Sequence, residues 1–191
     1  MATLFVDKVD PQSGTALEIG SSGDTITIPS GATITNSGTA TGFGGTTSPY
    51  CSVYRVGDQS LSDNTLTTIQ FNNELVDSAN AFDTSTYKFT PQVSGNYFVS
   101  LNVGTGITHD NSTDKTQIEI FKNGSGISGA RATRDWDTVG LNYNDQVNTS
   151  VIISLNGSSD YIEGKILVDV TAGTGRVESQ SASMQIFKMT E

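Results

Sequence analysis

The segment FDTSTYKFTPQVSGNYFVSLNV, residues 82–103, holds the pattern that decides the fold. Its second half alternates between apolar and polar residues, and its first part ends in VSGN, residues 93–96, which is typical of a turn. Successive side chains of a strand point to opposite faces, so this period of two predicts a half-buried antiparallel strand. The side chains expected to face the core are Tyr97, Val99, Leu101 and Val103.

Further strands of the same kind follow toward the C-terminus. Turn signals separate them at KNGSG (122–126), LNGSSD (155–160) and TAGTG (171–175). Several short strands at this spacing predict an all-β fold, with a sandwich or jelly roll as the leading architecture. No segment has the period of an amphipathic helix. The alternating apolar residues are Ile118 and Ile120; Val151, Ile153 and Leu155; and Ile162, Gly164, Ile166, Val168 and Val170.

The stretch FKNGSGISGAR, residues 121–131, matches the G-x-G-x-x-G pattern of dinucleotide-binding proteins at Gly124, Gly126 and Gly129. That fingerprint also needs a following helix and an acidic residue about 20 positions later, and the sequence provides neither. We therefore predict a hairpin turn in which Asn123 and Gly124 take positive φ.

Composition narrows the classes of function. The chain has 191 residues, enough for one ordinary domain with an extension, and its net charge of -10 argues against nucleic acid as a partner. It lacks 18 consecutive apolar residues and a signal-peptide pattern at its start, so we expect no membrane insertion and no export. Cys51 is the only cysteine and is expected to be a buried thiol rather than an intermolecular bridge.

The N-terminal part repeats a short unit. In residues 19–45 the motifs SGDTITI, SGATIT and SGTATGF follow one another. One chain with so few apolar side chains cannot offset its own ordering entropy, whereas three copies wound together would bury Ile26, Ile28 and Ile34 against one another. We predict an intertwined trimeric β stalk in residues 1–45, followed by one β domain in 46–191; a flexible linker is the alternative.

The segment 82–103 resembles the most distinctive stretch of C1q-like heads of the C1q/TNF superfamily. IEIFKNGSGI and VNTSVIISLNGSSDYIEGKI resemble later strands and turns of that family, so the resemblance covers roughly residues 50–190. It implies a trimeric jelly-roll head. SASMQIFKM departs from the family's final Phe-x-Gly, and Met184, Ile186 and Phe187 are expected to fill that core position. The matching residues in the first segment are Phe82, Tyr87, Lys88, Phe89, Thr90, Pro91, Gly95, Tyr97 and Phe98.

The first 45 residues are similar to the repeat-bearing N-termini of bacteriophage tail fibres and related appendages, notably those of phages with marine and cyanobacterial hosts. This resemblance implies a place on the virion, with the N-terminal segment docked to other virion proteins.

The candidate ligand-binding residues lie in the loop near residues 131–145. In TRDWDT, Trp136 would stack on a pyranose while Asp135 and Asp137 hold its hydroxyls, with Tyr143 in the same loop; the alternative is a tryptophan that only packs.

His109, the single histidine, is expected to be a solvated loop residue and not part of a catalytic triad.

Calcium is the one cation that the sequence suggests. Asp110 and Asp114 are the candidate ligands, with Asp160 as a further one, because a trimer would carry a charge of -30 (3 × -10). The alternative is that these exposed acids serve solubility alone.

Together these features predict a non-enzymatic, homotrimeric virion surface protein without a cofactor. As a short tail fibre it would contact host surface glycans through loops near residues 105–115 and 131–145. As a capsid decoration protein it would clamp neighbouring shell subunits. A polysaccharide depolymerase is a third hypothesis, which the sequence supports least because it offers no convincing acid pair.

Overall fold

The computed structural model divides into two compact units, Met1–Gly45 and Thr46–Glu191. Within the part of the chain that the structure describes, no residue is helical. The described residues are 9, 11, 13–17, 19–33, 35, 48–108, 113–135, 145–171 and 174–189.

In the N-terminal unit the glycine-containing turns of the repeat are present. Gly23 and Gly31 have positive φ angles of 93° and 87°. The amide of Asp24 donates to the carbonyl of Ser21 at 3.0 Å. Ile26 and Ile28 are 61% and 46% exposed in the single chain, and residues 19–33 form no strand within it. Ile34 lies outside the described residues, and the trimeric stalk stays a prediction.

The second unit is a sandwich of two antiparallel six-stranded sheets. The first sheet has the order β10-β7-β12-β1-β4, with β2 also paired to β12, and the second has the order β5-β6-β11-β8-β9, with β3 also paired to β11. The strands are β1 (Tyr50–Tyr54), β2 (Gln59–Leu61), β3 (Thr67–Thr68), β4 (Asn73–Asp77), β5 (Phe82–Asp83), β6 (Lys88–Phe89), β7 (Gly95–Thr108), β8 (Thr113–Lys122), β9 (Ser125–Asp135), β10 (Asp145–Leu155), β11 (Ile162–Val170) and β12 (Thr174–Lys188).

The core lies between the sheets and is built from the alternating residues that the sequence singles out. Tyr97, Val99, Leu101 and Val103 of β7 are buried, as are the apolar residues predicted on one face of β11. Gly164 of β11 lets the sheets approach closely, because a Cβ there would lie 3.0 Å from Cδ1 of Leu101.

The opening segment begins with a tight turn between β5 and β6. The carboxylate of Asp83 accepts hydrogen bonds from the amide and hydroxyl of Ser85, at 2.8 and 2.6 Å, and from the hydroxyl of Thr86 at 2.9 Å. These bonds lower the pKa of Asp83 to about 2. Tyr87 closes the turn in the left-handed conformation, with φ of 61°.

The chain then crosses from the second sheet to the first. Phe89 of β6 and Tyr97 of β7 meet edge to face, with ring centroids 5.9 Å apart. The hydroxyl of the buried Tyr97 donates to the carbonyl of Val93 at 2.7 Å. This bond satisfies the polar end of an otherwise apolar side chain and fixes the turn between the two strands.

Two sequence predictions have clear outcomes here. Asn123 and Gly124 have φ angles of 52° and 77°, which confirms the hairpin turn, and residues 125–135 after it form strand β9 instead of the helix that a dinucleotide site needs. Met184 and Ile186 are buried as expected, but Phe187 is 46% exposed, so its predicted core position is wrong. Because β12 alternates, Phe187 points to the outer face, where its ring lies 5.1 Å from that of Phe98.

We expect Tyr97→Phe to lower the free energy of unfolding by about 1 kcal/mol, because it deletes one buried hydrogen bond and leaves the Val93 carbonyl without that donor. Urea denaturation of both proteins at equal concentration measures the difference. Tyr87→Phe is the matched control, since the Tyr87 hydroxyl makes no hydrogen bond within the described residues. Equal losses in the two variants would contradict the role given to the Tyr97 hydroxyl.

Candidate functional site

The candidate sugar-binding loop is described only at its edge. Asp135 ends β9, is exposed and lies opposite Lys115 of β8. Trp136, Asp137 and Tyr143 lie outside the described residues. The sugar-binding role of this loop therefore stays a prediction.

The strands that flank the two candidate loops end together. Asp145 at the start of β10 pairs with Thr105 near the end of β7, and Lys115 near the start of β8 pairs with Asp135 at the end of β9. Only residues 109–112 separate β7 from β8. The strands thus bring both sequence segments to one end of the sandwich, as the predicted role in binding requires.

The candidate calcium ligands are not assembled within the described residues. Asp110 and His109 lie outside them, and Asp114 belongs to β8 but its side chain is not described. In the described ranges, no group of three or more His, Cys, Asp or Glu side chains is placed to hold a metal ion. Calcium binding stays a prediction for Asp110 and Asp114.

Asp160 has a structural role that the sequence does not reveal. Its Oδ1 accepts from Nδ2 of Asn123 at 2.7 Å, and its Oδ2 accepts from the amide of Asn156 and from Nζ of Lys122, both at 2.9 Å. These donors, Asn123 first, lower the pKa of the carboxyl. Both oxygens are engaged in tying the hairpin turn to the turn before β11, and Asp160 belongs to no group of three or more possible metal ligands in the described ranges.

The outer face of the first sheet carries no charge across three neighbouring rows. One row is apolar, and within it Ile152, Tyr50 and Phe187 are 58%, 48% and 46% exposed. The other two rows are mainly polar. We call these residues the uncharged face. Row by row across the strands they are Ile152, Phe98, Phe187 and Tyr50; Ser150, Ser100, Gln185, Ser52 and Val76; and Asn148, Asn102, Ser183, Tyr54 and Asn73.

The outer face of the second sheet is rich in charge. One row places Arg131, Glu119 and Lys165 side by side on β9, β8 and β11, and another places Asp135, Lys115 and Asp169 on the same strands. Opposite charges therefore alternate across the sheet, an arrangement that stabilises neighbouring strands. The contrast with the first sheet separates two surfaces of different chemistry.

A surface pocket of 490 Å³ lies at the edge of the charged sheet, along β9. Its lining includes Glu119 and Arg131, whose side chains form an ion pair at 3.0 Å, and Gly126 and Gly129 of the G-x-G-x-x-G pattern. The sequence alone does not predict this pocket. The glycines of the G-x-G-x-x-G pattern, interpreted as part of a turn and not as a cofactor motif, are the sequence signal that could have located it.

Cys51 is buried in β1 and is a free thiol, as the sequence predicts. Burial, together with the nearby carboxylates of Asp77 and Glu74, raises the pKa of the thiol to about 12. The described part of the chain has no helix that is long and apolar enough to cross a membrane.

Comparison with known proteins agrees with this architecture. The family model described as the C1q domain matches residues 53–187. Solved structures to which this chain is similar include the following three. They are murine APRIL (11% identity, 74% of this chain and 99% of that chain covered, TM-score 0.53), Eiger TNF from S. frugiperda (12%, 75% and 94%, 0.54) and the globular domain of a zebrafish complement 1qA protein (16%, 75% and 98%, 0.46). No curated protein matches the sequence.

We expect the Cys51 thiol to make stability depend on pH above about 9. The unfolded thiol ionises near its ordinary pKa of 9.0 while the folded thiol stays protonated to about 12, so stability falls as pH rises between these values. Cys51→Ala should lose less stability than the unchanged protein between pH 8 and pH 10, by about 1 kcal/mol. Chemical denaturation at both pH values measures this difference, and identical pH dependence would contradict the raised pKa.

Proposed function

The chain belongs to the C1q domain family, and from this premise we propose that it is a non-enzymatic homotrimer on the surface of a bacteriophage virion, where it serves as a short tail fibre that contacts the host cell.

The uncharged face is the observation that carries the trimer. Each chain has a net charge of -10, so copies repel one another wherever their charged surfaces approach. Interface cores are depleted of charged residues and enriched in aromatic ones, and this face has Tyr50, Phe98 and Phe187 in a single row. A second and a third copy of this chain are therefore the occupants that we infer for it.

The apolar row also supplies a driving force for assembly. Ile152, Tyr50 and Phe187 are about half exposed in the single chain, so covering them removes apolar surface from water. A pocket of 370 Å³ lined by Ser48, Phe187, Lys188 and Met189 borders the row and would receive a side chain from a neighbouring copy. Such complementarity is typical of oligomer interfaces.

The N-terminal repeat is an independent observation that supports a trimer. Ile26 and Ile28 are exposed in one chain, and three chains running together would cover them. The similarity of residues 1–45 to phage appendages supports a stalk that docks to other virion proteins and leaves the head facing outward.

A binding role, rather than catalysis, is supported by the state of the carboxylates in the described head. Glu119 pairs with Arg131 at 3.0 Å, Asp160 with Lys122 at 2.9 Å, and Glu163 with Lys165 at 3.5 Å. Carboxylates held in this way stabilise the sheet and its turns. Contact with the host would then come from the loop end and from multivalency.

We expect the full chain to sediment as a trimer of about 60 kDa, three times its 20.1 kDa monomer. Ile152→Glu should shift the equilibrium to monomer, because it places three like charges in a face that is otherwise uncharged. Thr133→Glu adds the same charge to the exposed face of β9 and should leave the trimer intact. A wild-type monomer, or dissociation of both variants alike, would overturn the assignment of this face.

Location on the particle can be checked by electron microscopy with a gold-labelled antibody to the head. We expect label at the tail. Label spread over the capsid would contradict the tail-fibre role and favour capsid decoration, and the absence of label from purified virions would contradict the virion location.

A further inference from the structure

We propose that the pocket along β9 binds a neutral saccharide, with two adjacent hydroxyls of one sugar held between Glu119 and Arg131. This inference rests on the proposed role of the head in host contact, and it names the class of ligand and a site for it.

A bulge in β9 creates the pocket. Glu119 pairs with Arg131 and Phe121 pairs with Gly126, so residues 127–130 of β9 stand opposite Ile120 alone. The extra backbone moves out of the sheet, helped by Gly129, whose φ is 83°. An edge strand is free to bulge in this way because it has a partner on only one side.

The floor of the pocket is a buried carboxylate with an unused acceptor. Glu119 is only 5% exposed, and its Oε2 accepts from Nε of Arg131 at 3.0 Å. Within the described residues, its Oε1 accepts no hydrogen bond. A Cβ on Gly126 would collide with Oε1, so a glycine at this position is what keeps the carboxylate in place beneath the bulge. Oε1 is therefore free to accept a hydrogen bond from water or from a ligand hydroxyl that enters the pocket.

The rim supplies donors. The side chain of Arg131 is 56% exposed, and only its Nε is engaged within the described part of the chain, which leaves both Nη groups as donors for a ligand or solvent. The exposed Ser128 adds a hydroxyl, and the partly buried Ile127 adds an apolar surface.

This chemistry selects hydroxyl groups over ions. An anion would be repelled by Glu119 and a cation by Arg131, whereas the pair as a whole is neutral. A hydroxyl can donate to Oε1 of Glu119, and its neighbour can accept from an Nη of Arg131. The C–H face of a sugar ring would then lie against Ile127. Three such pockets per trimer would convert weak single contacts into avidity.

The test is saturation-transfer difference NMR on the full-length protein with methyl α-D-glucopyranoside, methyl α-D-galactopyranoside and methyl α-D-mannopyranoside as probes. We expect saturation transfer to at least one glycoside. Glu119→Gln should weaken binding about tenfold or more, because it replaces a charge-assisted acceptor. Glu74→Gln changes an exposed glutamate of β4 in the same way and should leave binding unchanged.

A second pair of variants keeps the test valid if Glu119→Gln fails to fold. Ser128→Tyr fills the pocket with an aromatic ring at an exposed position and should abolish transfer. Thr133→Tyr places the same ring on β9 outside the pocket and should not. Retained binding in both Glu119→Gln and Ser128→Tyr would overturn the proposal, as would transfer to none of the glycosides or stronger binding of methyl glucuronide, an anionic sugar.

Repeating the experiment with dextran and mannan distinguishes a free sugar from a polymer. Binding of either polymer that is lost in Ser128→Tyr supports the pocket as a polysaccharide site. Sedimentation of the same variants separates this proposal from the proposed function. A trimer that binds no glycoside refutes the pocket alone, whereas a monomer that binds one refutes the trimeric fibre and leaves the pocket standing.

Discussion

The edge-to-face contact between Phe89 and Tyr97 is the constraint on which the sandwich depends. Phe89 belongs to the second sheet and Tyr97 to the first, so their contact joins the layers where the chain passes between them. The hydrogen bond from Tyr97 to Val93 fixes the phase of β7. Since side chains alternate strictly along a strand, that phase decides which residues face inward over the following positions.

Once the inner faces of the two sheets are fixed, each sheet has an outer face, and these two faces differ in composition. Three neighbouring rows of the first sheet's outer face are uncharged, whereas the outer residues of the second sheet alternate in sign, as in the row of Arg131, Glu119 and Lys165. A strongly acidic protein can self-associate only through a surface that does not add to its repulsion. In the proposed trimer the charged sheet would be left exposed, together with the pocket at its edge.

Period-two alternation was enough to predict β7, β8, β10 and β11 and the core residues of β7 and β11, and the Asn-Gly pair was enough to predict the turn at Asn123 and Gly124, because each depends on local sequence. The short strands β1 to β6 were not predicted individually. The expectation for Phe187 was wrong because it came from the family's final Phe-x-Gly position. Alternation itself places Phe187 on the face opposite the buried Met184 and Ile186. Local sequence patterns could not predict the Glu119 pocket either. It depends on how many residues of one strand stand opposite another, which only the register shows.

The uncharged face and the pocket at the edge of the charged sheet have different proposed roles in one acidic protein. Assembly of three copies through the uncharged face, as proposed, would place a charge of about -30 on one particle (3 × -10), and this field would keep anionic envelope polymers at a distance. A receptor site on such a particle works best if it is locally neutral and recognises hydroxyls instead of charge. The Glu119–Arg131 pair meets that condition because its carboxylate is compensated by its own guanidinium. The net charge and the pocket chemistry therefore select the same class of ligand, although they arise from different residues.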